Sequence, residues 1–92
     1  MKRFRYKSGI RVSYLQQGYI FFTSQRYKDL PEKRRQKIQE MCHKHGGEYA
    51  AALLEYVTTD SGEISICRRY NLDNSTLERA TRRYYEGFPK VL

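Results

Sequence analysis

Three side chains that can ligate a metal stand close together in the sequence: Cys42, His43 and His45. Thiolate and imidazole groups are the usual ligands of zinc, and structural zinc sites usually take paired ligands from both ends of a loop. The second cysteine, Cys67, has no such partner near it. In a cytosolic chain, isolated cysteines usually stay reduced and behave as small apolar side chains. We therefore predict two structural thiols and no metal site.

Groupings of residues typical of catalysis are not evident in the sequence. It has no serine–histidine pair at a nucleophile elbow and no glycine-rich phosphate loop, and its acidic residues have no obvious partners. His43 and His45 are interpreted as surface or half-buried residues. We predict a protein that is not an enzyme, with no cofactor and no small-molecule ligand.

The distribution of charge is more informative. The net charge is +8, with +7 in residues 1–28, +2 in residues 29–47, −4 in residues 48–63 and +3 in residues 64–92. Basic residues are thus concentrated at the two ends of the chain. This arrangement suits the binding of a polyanion by an N-terminal arm and C-terminal helices. A solvated basic surface that keeps the protein soluble is the alternative interpretation.

The length of 92 residues favours a single domain, residues 1–92, with one small core. No apolar run approaches the roughly 20 residues of a membrane span, and no apolar region follows the basic start. We therefore expect neither a membrane segment nor a signal peptide, and we place the protein in the cytoplasm.

The N-terminal part of the chain permits two interpretations. Residues 1–8 are predicted to form a basic arm that is disordered or loosely held. In residues 10–24, β-branched and aromatic side chains flank Gln16-Gln17-Gly18, which favours a β-hairpin. A helix is the alternative, because four apolar residues also fall on one helical face. These residues are Val12, Leu15, Tyr19 and Phe22.

The remainder of the chain predicts a mainly α fold. Capping residues, apolar spacing and glycine or asparagine stops predict helices at residues 29–45, 48–58, 61–70 and 74–86. In the third of these helices, Ile64 is expected to face inward together with two residues of the predicted core. That core comprises Ile38, Met41, Leu53, Tyr56, Val57, Ile66, Cys67, Leu72, Leu77 and Ala80.

The last two predicted helices contain a characteristic order of residue types. Cys67 is a small residue where two crossing helices must approach, and Asn71 can take the left-handed conformation that a tight turn needs. Leu72 is an apolar residue of the turn, and Asp73 can cap the following helix. A capping box of Ser75 with a later glutamate is an alternative start.

In this order the residues resemble the helix-turn-helix family, with Cys67 in place of the usual alanine and Asn71 in place of the usual glycine. Leu77 and Ala80 occupy the inward positions of the second helix. The resemblance extends over residues 48–86 if the preceding helix is the first of a trihelical unit, as in homeodomain-like and recombinase proteins. An ordinary pair of packed helices is the alternative interpretation.

The resemblance implies that the last helix enters the major groove of double-stranded DNA. The base readers that it implies have side chains suited to guanine, adenine and cytosine edges, and they are Asn74, Ser75, Glu78, Arg79 and Arg82. The implied phosphate ligands of the two helices are Arg68, Arg69 and Arg83. The arm either enters an adjacent minor groove or is a tail without fixed contacts. Its basic residues are Lys2, Arg3, Arg5 and Lys7.

We therefore hypothesise a DNA-binding protein of the cytoplasm and nucleoid, acting as a small transcriptional regulator of a phage or other mobile element. An accessory factor in recombination or genome processing is the second hypothesis. The third is an RNA-binding or protein-inhibitor module that uses exposed tyrosines, namely Tyr6, Tyr14, Tyr19 and Tyr27. A homodimer through the N-terminal aromatic residues is also expected, because one small motif contacts few base pairs.

Overall fold

A computed structural model describes residues 2–92 of the chain. In that range the chain forms five α-helices and no β-strand. Short 3₁₀ turns at Tyr27–Asp29 and Gly47–Tyr49 precede the second and third helices. The helices are α1 (Tyr14–Gln25), α2 (Glu32–Gly46), α3 (Ala50–Thr58), α4 (Glu63–Tyr70) and α5 (Asn74–Gly87).

The predicted hairpin at residues 10–24 is wrong, because α1 occupies most of this segment. Ser13 starts the helix: its Oγ accepts a hydrogen bond from the Gln16 backbone N–H at 3.2 Å. The predicted turn Gln16-Gln17-Gly18 lies inside the first turns of α1. Gly18 therefore lies inside a helix that begins at the Ser13 cap and does not form a turn.

The helical alternative for this segment is right in type, but only two of its four apolar residues, Val12 and Tyr19, pack against the core. Leu15 is 80% exposed and Phe22 is 50% exposed, whereas Gln17, Ile20 and Ser24 are buried. Because the polar residues Gln17 and Ser24 face inward, the spacing of apolar residues does not identify the buried face of α1. Both are satisfied by hydrogen bonds inside the fold, which is the condition for burying polar groups at low cost.

The N-terminal arm is not a loosely held tail in the part that the structure describes; residue 1 of the predicted arm lies outside the described range. The backbone N–H of Lys7 donates to Oε1 of Gln17 at 3.0 Å, and Nε2 of Gln17 donates to the Lys7 carbonyl at 3.0 Å. The Lys2 backbone N–H donates to Asp60 at 3.1 Å. The ring of Phe4 packs against α1, 5.6 Å from that of Tyr14. The arm therefore runs over the helices as an attached segment.

The four predicted helices are present, three of them with shifted starts, while α5 begins at residue 74 as predicted. α2 begins at Glu32 after Pro31 and not at residue 29, because Asp29 belongs to the preceding 3₁₀ turn. It ends where Gly47 adopts a φ of +54°, which glycine tolerates without steric cost. Later in the chain, α4 begins at Glu63, after Gly62 rather than at residue 61.

The core consists of two clusters. The larger one joins α1, α2, α3 and α5 around Tyr84, which is 0% exposed and whose hydroxyl lies 2.7 Å from Oγ of Ser24. The smaller one joins α3, α4 and α5. Its buried members are Ala52, Ile66, Cys67 and Leu77.

Seven of the predicted core residues are buried, and the other three, Met41, Tyr56 and Leu72, are half-buried against the clusters. Ile64 does not face inward as expected; it is 67% exposed. Tyr84 was missed because tyrosine is usually only partly buried, and here its hydroxyl finds a partner on another helix.

The two cysteines are buried free thiols in different clusters. Burial raises the pKa of Cys42 to about 12. The neighbouring His43 is exposed. For the part of the chain described here, none of the helices combines the length and the hydropathy that a membrane span requires.

Candidate nucleic-acid interface

The turn between α4 and α5 depends on one residue with positive φ. Asn71 adopts φ 55° and ψ 50°, and it is the only non-glycine residue of residues 2–92 in the left-handed region. Its short amide side chain makes this conformation less costly than it is for most residues. The Leu72 N–H then donates to the Cys67 carbonyl at 2.8 Å, which satisfies the end of α4.

Asp73 caps α5. Its carboxylate accepts the backbone N–H of Thr76 at 3.1 Å and lies 3.3 Å from the Ser75 hydroxyl. Hydrogen bonds from Thr76 lower the pKa of Asp73. The start of α5 is therefore set by residue 73, and the alternative capping box two residues later is not used.

The inner face of α5 is apolar and fixes its orientation. Leu77 packs in the smaller cluster with Ile66 and Cys67 of α4, and Ala80 and Tyr84 pack in the larger cluster. Tyr70 links the end of α4 to α3, because its hydroxyl donates a hydrogen bond to the Glu55 carboxylate at 2.8 Å. Since this face is buried along its length, the opposite face of α5 is the one turned to solvent.

All five predicted base readers are exposed on α5, at positions 74, 75, 78, 79 and 82. Within residues 2–92, neither Arg79 nor Arg82 has a side-chain hydrogen bond or an ion pair. Both guanidinium groups are therefore available to an external acceptor, and the charge of Arg79 also contributes to lowering the pKa of Asp73. Arginine offers a planar fork of N–H donors that fits a guanine edge or a phosphate.

The three predicted phosphate ligands differ in their surroundings. Arg68 is exposed. Arg69 forms an ion pair with Glu55 of α3, and Arg83 donates from Nε and Nη2 to the His45 carbonyl at 3.3 and 3.0 Å. Arg69 and Arg83 therefore already hold helices together, while their side chains remain at the surface.

The basic residues of the arm also fall into two groups. Lys2 is half-buried: its ammonium donates to the Tyr56 carbonyl and lies 4.0 Å from the centre of the Tyr56 ring. Burial lowers the pKa of Lys2 to about 8. This lysine anchors the arm. Arg3, Arg5 and Lys7 are exposed.

The arm passes along one side of α5. A cleft of about 300 Å³ lies between Lys7–Ile10 and the helix, and its α5 wall contains Ser75, Glu78, Arg79 and Arg82. Further along, the Arg11 N–H donates to Glu86 at 3.0 Å. The structure therefore brings four of the five predicted base readers next to a lysine of the arm, a proximity that sequence spacing does not reveal.

The other side of α5 faces the end of α2. A second cleft, of about 520 Å³, is lined there by Lys44, His45, Arg79 and Arg83. Burial and the neighbouring charges of Lys44 and Arg83 lower the pKa of His45. Sequence reasoning did not assign Lys44 to a site, because nothing in its local pattern indicates that α2 ends beside α5.

Two carboxylates also meet near this surface. Burial and the neighbouring charge of Glu78 raise the pKa of Glu63, and Oε1 of Glu63 is buried without a hydrogen-bond partner among the residues described. Glu78, a predicted base reader on α5, thus lies beside the carboxyl group of Glu63.

In comparisons with known proteins, no family, no curated protein and no solved structure matches this chain. Its function is therefore inferred from its own residues.

Proposed function

We propose that this protein binds double-stranded DNA as a helix-turn-helix protein, with α5 as the helix that enters the major groove. One observation carries the proposal: α5 buries Leu77 and Ala80 while it exposes every residue at positions 74, 75, 78, 79 and 82. The left-handed Asn71 and the Asp73 cap are the turn features that the helix-turn-helix family requires.

The charges beside α5 support the same pose. A major groove is bordered by two phosphate backbones and is about 12 Å wide, just enough for a helix. Lys7 lines the cleft on one side of α5, and Lys44 lines the cleft on the other. A helix with cations on both sides and free arginines between them complements a groove with phosphates on both rims.

Regulation of transcription for a phage or other mobile element is the role that we propose first, and an accessory role in recombination second. Both use the same duplex-binding face. A homodimer would supply the second half-site that one short helix lacks.

Selection from a random duplex library, followed by titration of the selected duplex at fixed salt, tests the proposal. Arg79→Ala should weaken binding by about 1–3 kcal/mol and relax the preference at one base pair. The matched control is Arg34→Ala, which removes an exposed arginine of α2. It should leave the selected base preference unchanged.

Two outcomes would contradict the proposal. If Arg79→Ala changes neither affinity nor selectivity, α5 is not the reader. If both arginine variants weaken all duplexes equally, the protein binds by net charge alone.

A further inference from the structure

A second surface, formed by the arm and α1, carries exposed aromatic rings. We define the aromatic patch as the rings of Phe4, Tyr6, Tyr14, Phe21 and Phe22. Tyr14 is 61% exposed and Tyr6 is 48% exposed. Neither α4 nor α5 contributes a ring to this patch.

Ring-to-ring contacts hold the patch together. The centroid of Phe4 lies 5.6 Å from that of Tyr14, 5.7 Å from that of Phe21 and 6.0 Å from that of Phe22. The Tyr6 and Tyr14 centroids are 6.0 Å apart. Phe4 thus packs against three rings of α1, and Tyr6 is joined to the patch through Tyr14.

Basic side chains alternate with these rings along the arm, in the order Arg3-Phe4-Arg5-Tyr6-Lys7. In an extended segment, successive side chains point to opposite sides. Phe4 and Tyr6 pack against α1. Arg3, Arg5 and Lys7 line a neighbouring cavity of about 410 Å³, whose other walls include Phe21 of α1 and Glu63 of α4. The arm therefore presents rings along one edge and cations along the other.

We propose that this surface binds a single strand of nucleic acid, with its unpaired bases stacked on Tyr6, Tyr14 and Phe22 and its phosphates beside Arg3, Arg5 and Lys7. Base stacking on aromatic rings combined with a cationic track is the chemistry by which proteins hold single strands. Duplex DNA cannot use the rings, because its base faces are covered by neighbouring bases.

Charge complementarity favours this occupant over a second copy of the chain, so we do not assign this surface to the homodimer interface that the sequence predicts at the N-terminal aromatic residues. Residues 1–28 carry a net charge of +7 and contain no acidic residue. Two copies that met through this surface would bring these charges together, and like charges at an interface are unfavourable. A polyanion neutralises them instead. This inference does not depend on the proposed duplex binding by α5.

Two of the four tyrosines expected to be exposed are not part of this surface. Tyr19 and Tyr27 are half-buried against the larger core cluster, and the Tyr19 hydroxyl accepts the Leu92 N–H at 2.8 Å. Only Tyr6 and Tyr14 of that set are offered for stacking.

Fluorescence anisotropy with labelled oligothymidylate and oligouridylate tests the proposal. Tyr14→Ala should weaken binding of the single strand by about five- to one-hundred-fold, because it removes one stacking ring. Tyr14→Phe should restore the affinity, since stacking uses the ring face and not the hydroxyl. Tyr49→Ala, which removes a tyrosine that is exposed outside the patch, should leave the affinity unchanged.

The same variants separate this proposal from duplex binding. Tyr14→Ala should leave the affinity for the selected duplex unchanged, and Arg79→Ala should leave the affinity for the single strand unchanged. Binding of either oligonucleotide supports the site, and the tighter one identifies the sugar of the natural strand.

Three results would overturn the proposal: binding of neither oligonucleotide, equal single-strand affinity of Tyr14→Ala and the wild type, or a dimer in light scattering that Tyr14→Ala dissociates. The last result would assign the patch to a second copy. Thermal melting of each variant checks that it remains folded, and Tyr6→Ala serves as a second ring deletion if Tyr14→Ala is unfolded.

Discussion

The unit formed by α4 and α5 and the region formed by the arm and α1 are built in different ways. In the first, the interactions that shape the turn join close neighbours, such as Thr76 with Asp73 and Leu72 with Cys67. In the second, the interactions that set position join distant residues, such as Ser24 with Tyr84 and Lys2 with Asp60. The turn between α4 and α5 is therefore determined by nearby residues, whereas the positions of the arm and α1 depend on the rest of the fold.

The two regions also offer different surfaces. α5 presents hydrogen-bonding side chains between two basic clefts, whereas α1 presents exposed aromatic rings beside a basic arm. The two binding proposals therefore rest on different regions of the chain, and changes that affect one region and spare the other test them separately.

The largest effect is expected at Tyr84, where the two regions meet. Tyr84→Ala removes a fully buried ring from the larger cluster and should lower the free energy of unfolding by about 3–5 kcal/mol in urea denaturation. Tyr84→Phe keeps the ring and removes only the contact with Ser24, so it should cost less, about 1–3 kcal/mol. Equal losses would mean that the hydroxyl and not the ring joins the regions.

The next effect concerns the attachment of the arm. Gln17→Leu removes the bonds to both backbone groups of Lys7 and to the Val12 carbonyl, and it should cost about 1–3 kcal/mol. Hydrogen exchange should accelerate at the Lys7 amide and stay slow in α5. The control is Gln36→Leu, a change at an exposed position of α2. Faster exchange throughout α5 in Gln17→Leu would show that the two regions are not separable.

A smaller effect is expected at the cap of α5. The pKa of Asp73 is lowered in the folded protein, so its contribution to stability is present above the pKa of the unfolded chain and is lost as the pH falls through the folded pKa. Asp73→Ala should lower the melting temperature at pH 7. Asp73→Asn keeps a capping oxygen and should lose less, without this acid-dependent part. An identical pH profile for the wild type and Asp73→Asn would refute this role.

The smallest effect is expected at Glu63. Its pKa is raised in the folded protein, so the ionised form is disfavoured there, and the penalty is present above the folded pKa and absent below the unfolded one. Glu63→Gln should therefore raise the melting temperature at pH 7, with a gain that vanishes in acid. A gain that persists unchanged below pH of about 4 would point to packing instead of charge.

The sequence predicted the elements defined by local interactions more accurately than the region of the arm and α1. The starts and ends of α2 to α5 were close to the predicted ones, because glycine, asparagine and aspartate signals act on their immediate neighbours. Asn71 and Asp73 adopt the conformations that their positions predicted. The hairpin at residues 10–24 failed because Gln17 and Ser24, although polar, face inward toward partners that no local pattern reveals.

The candidate site was predictable only in part. The exposure of residues 74, 75, 78, 79 and 82 follows from helical periodicity once Leu77 and Ala80 are assigned to the core. The engagement of Arg69 with Glu55 and of Arg83 with His45 depends on where α3 and α2 pass. The sequence therefore predicted which residues lie at the surface. It did not predict which of their side chains already have partners within the fold.

The sequence by itself determined the helical character of residues 32–87, the turn at Asn71, the cap at Asp73 and the concentration of positive charge at the two ends. These properties depend on interactions within a few residues, or on composition alone. The tertiary structure decided the inward face of α1, the attachment of the arm through Gln17, and the placement of Lys7 and Lys44 on opposite sides of α5. Those features depend on contacts between residues far apart in the chain, which exist only after the helices have packed.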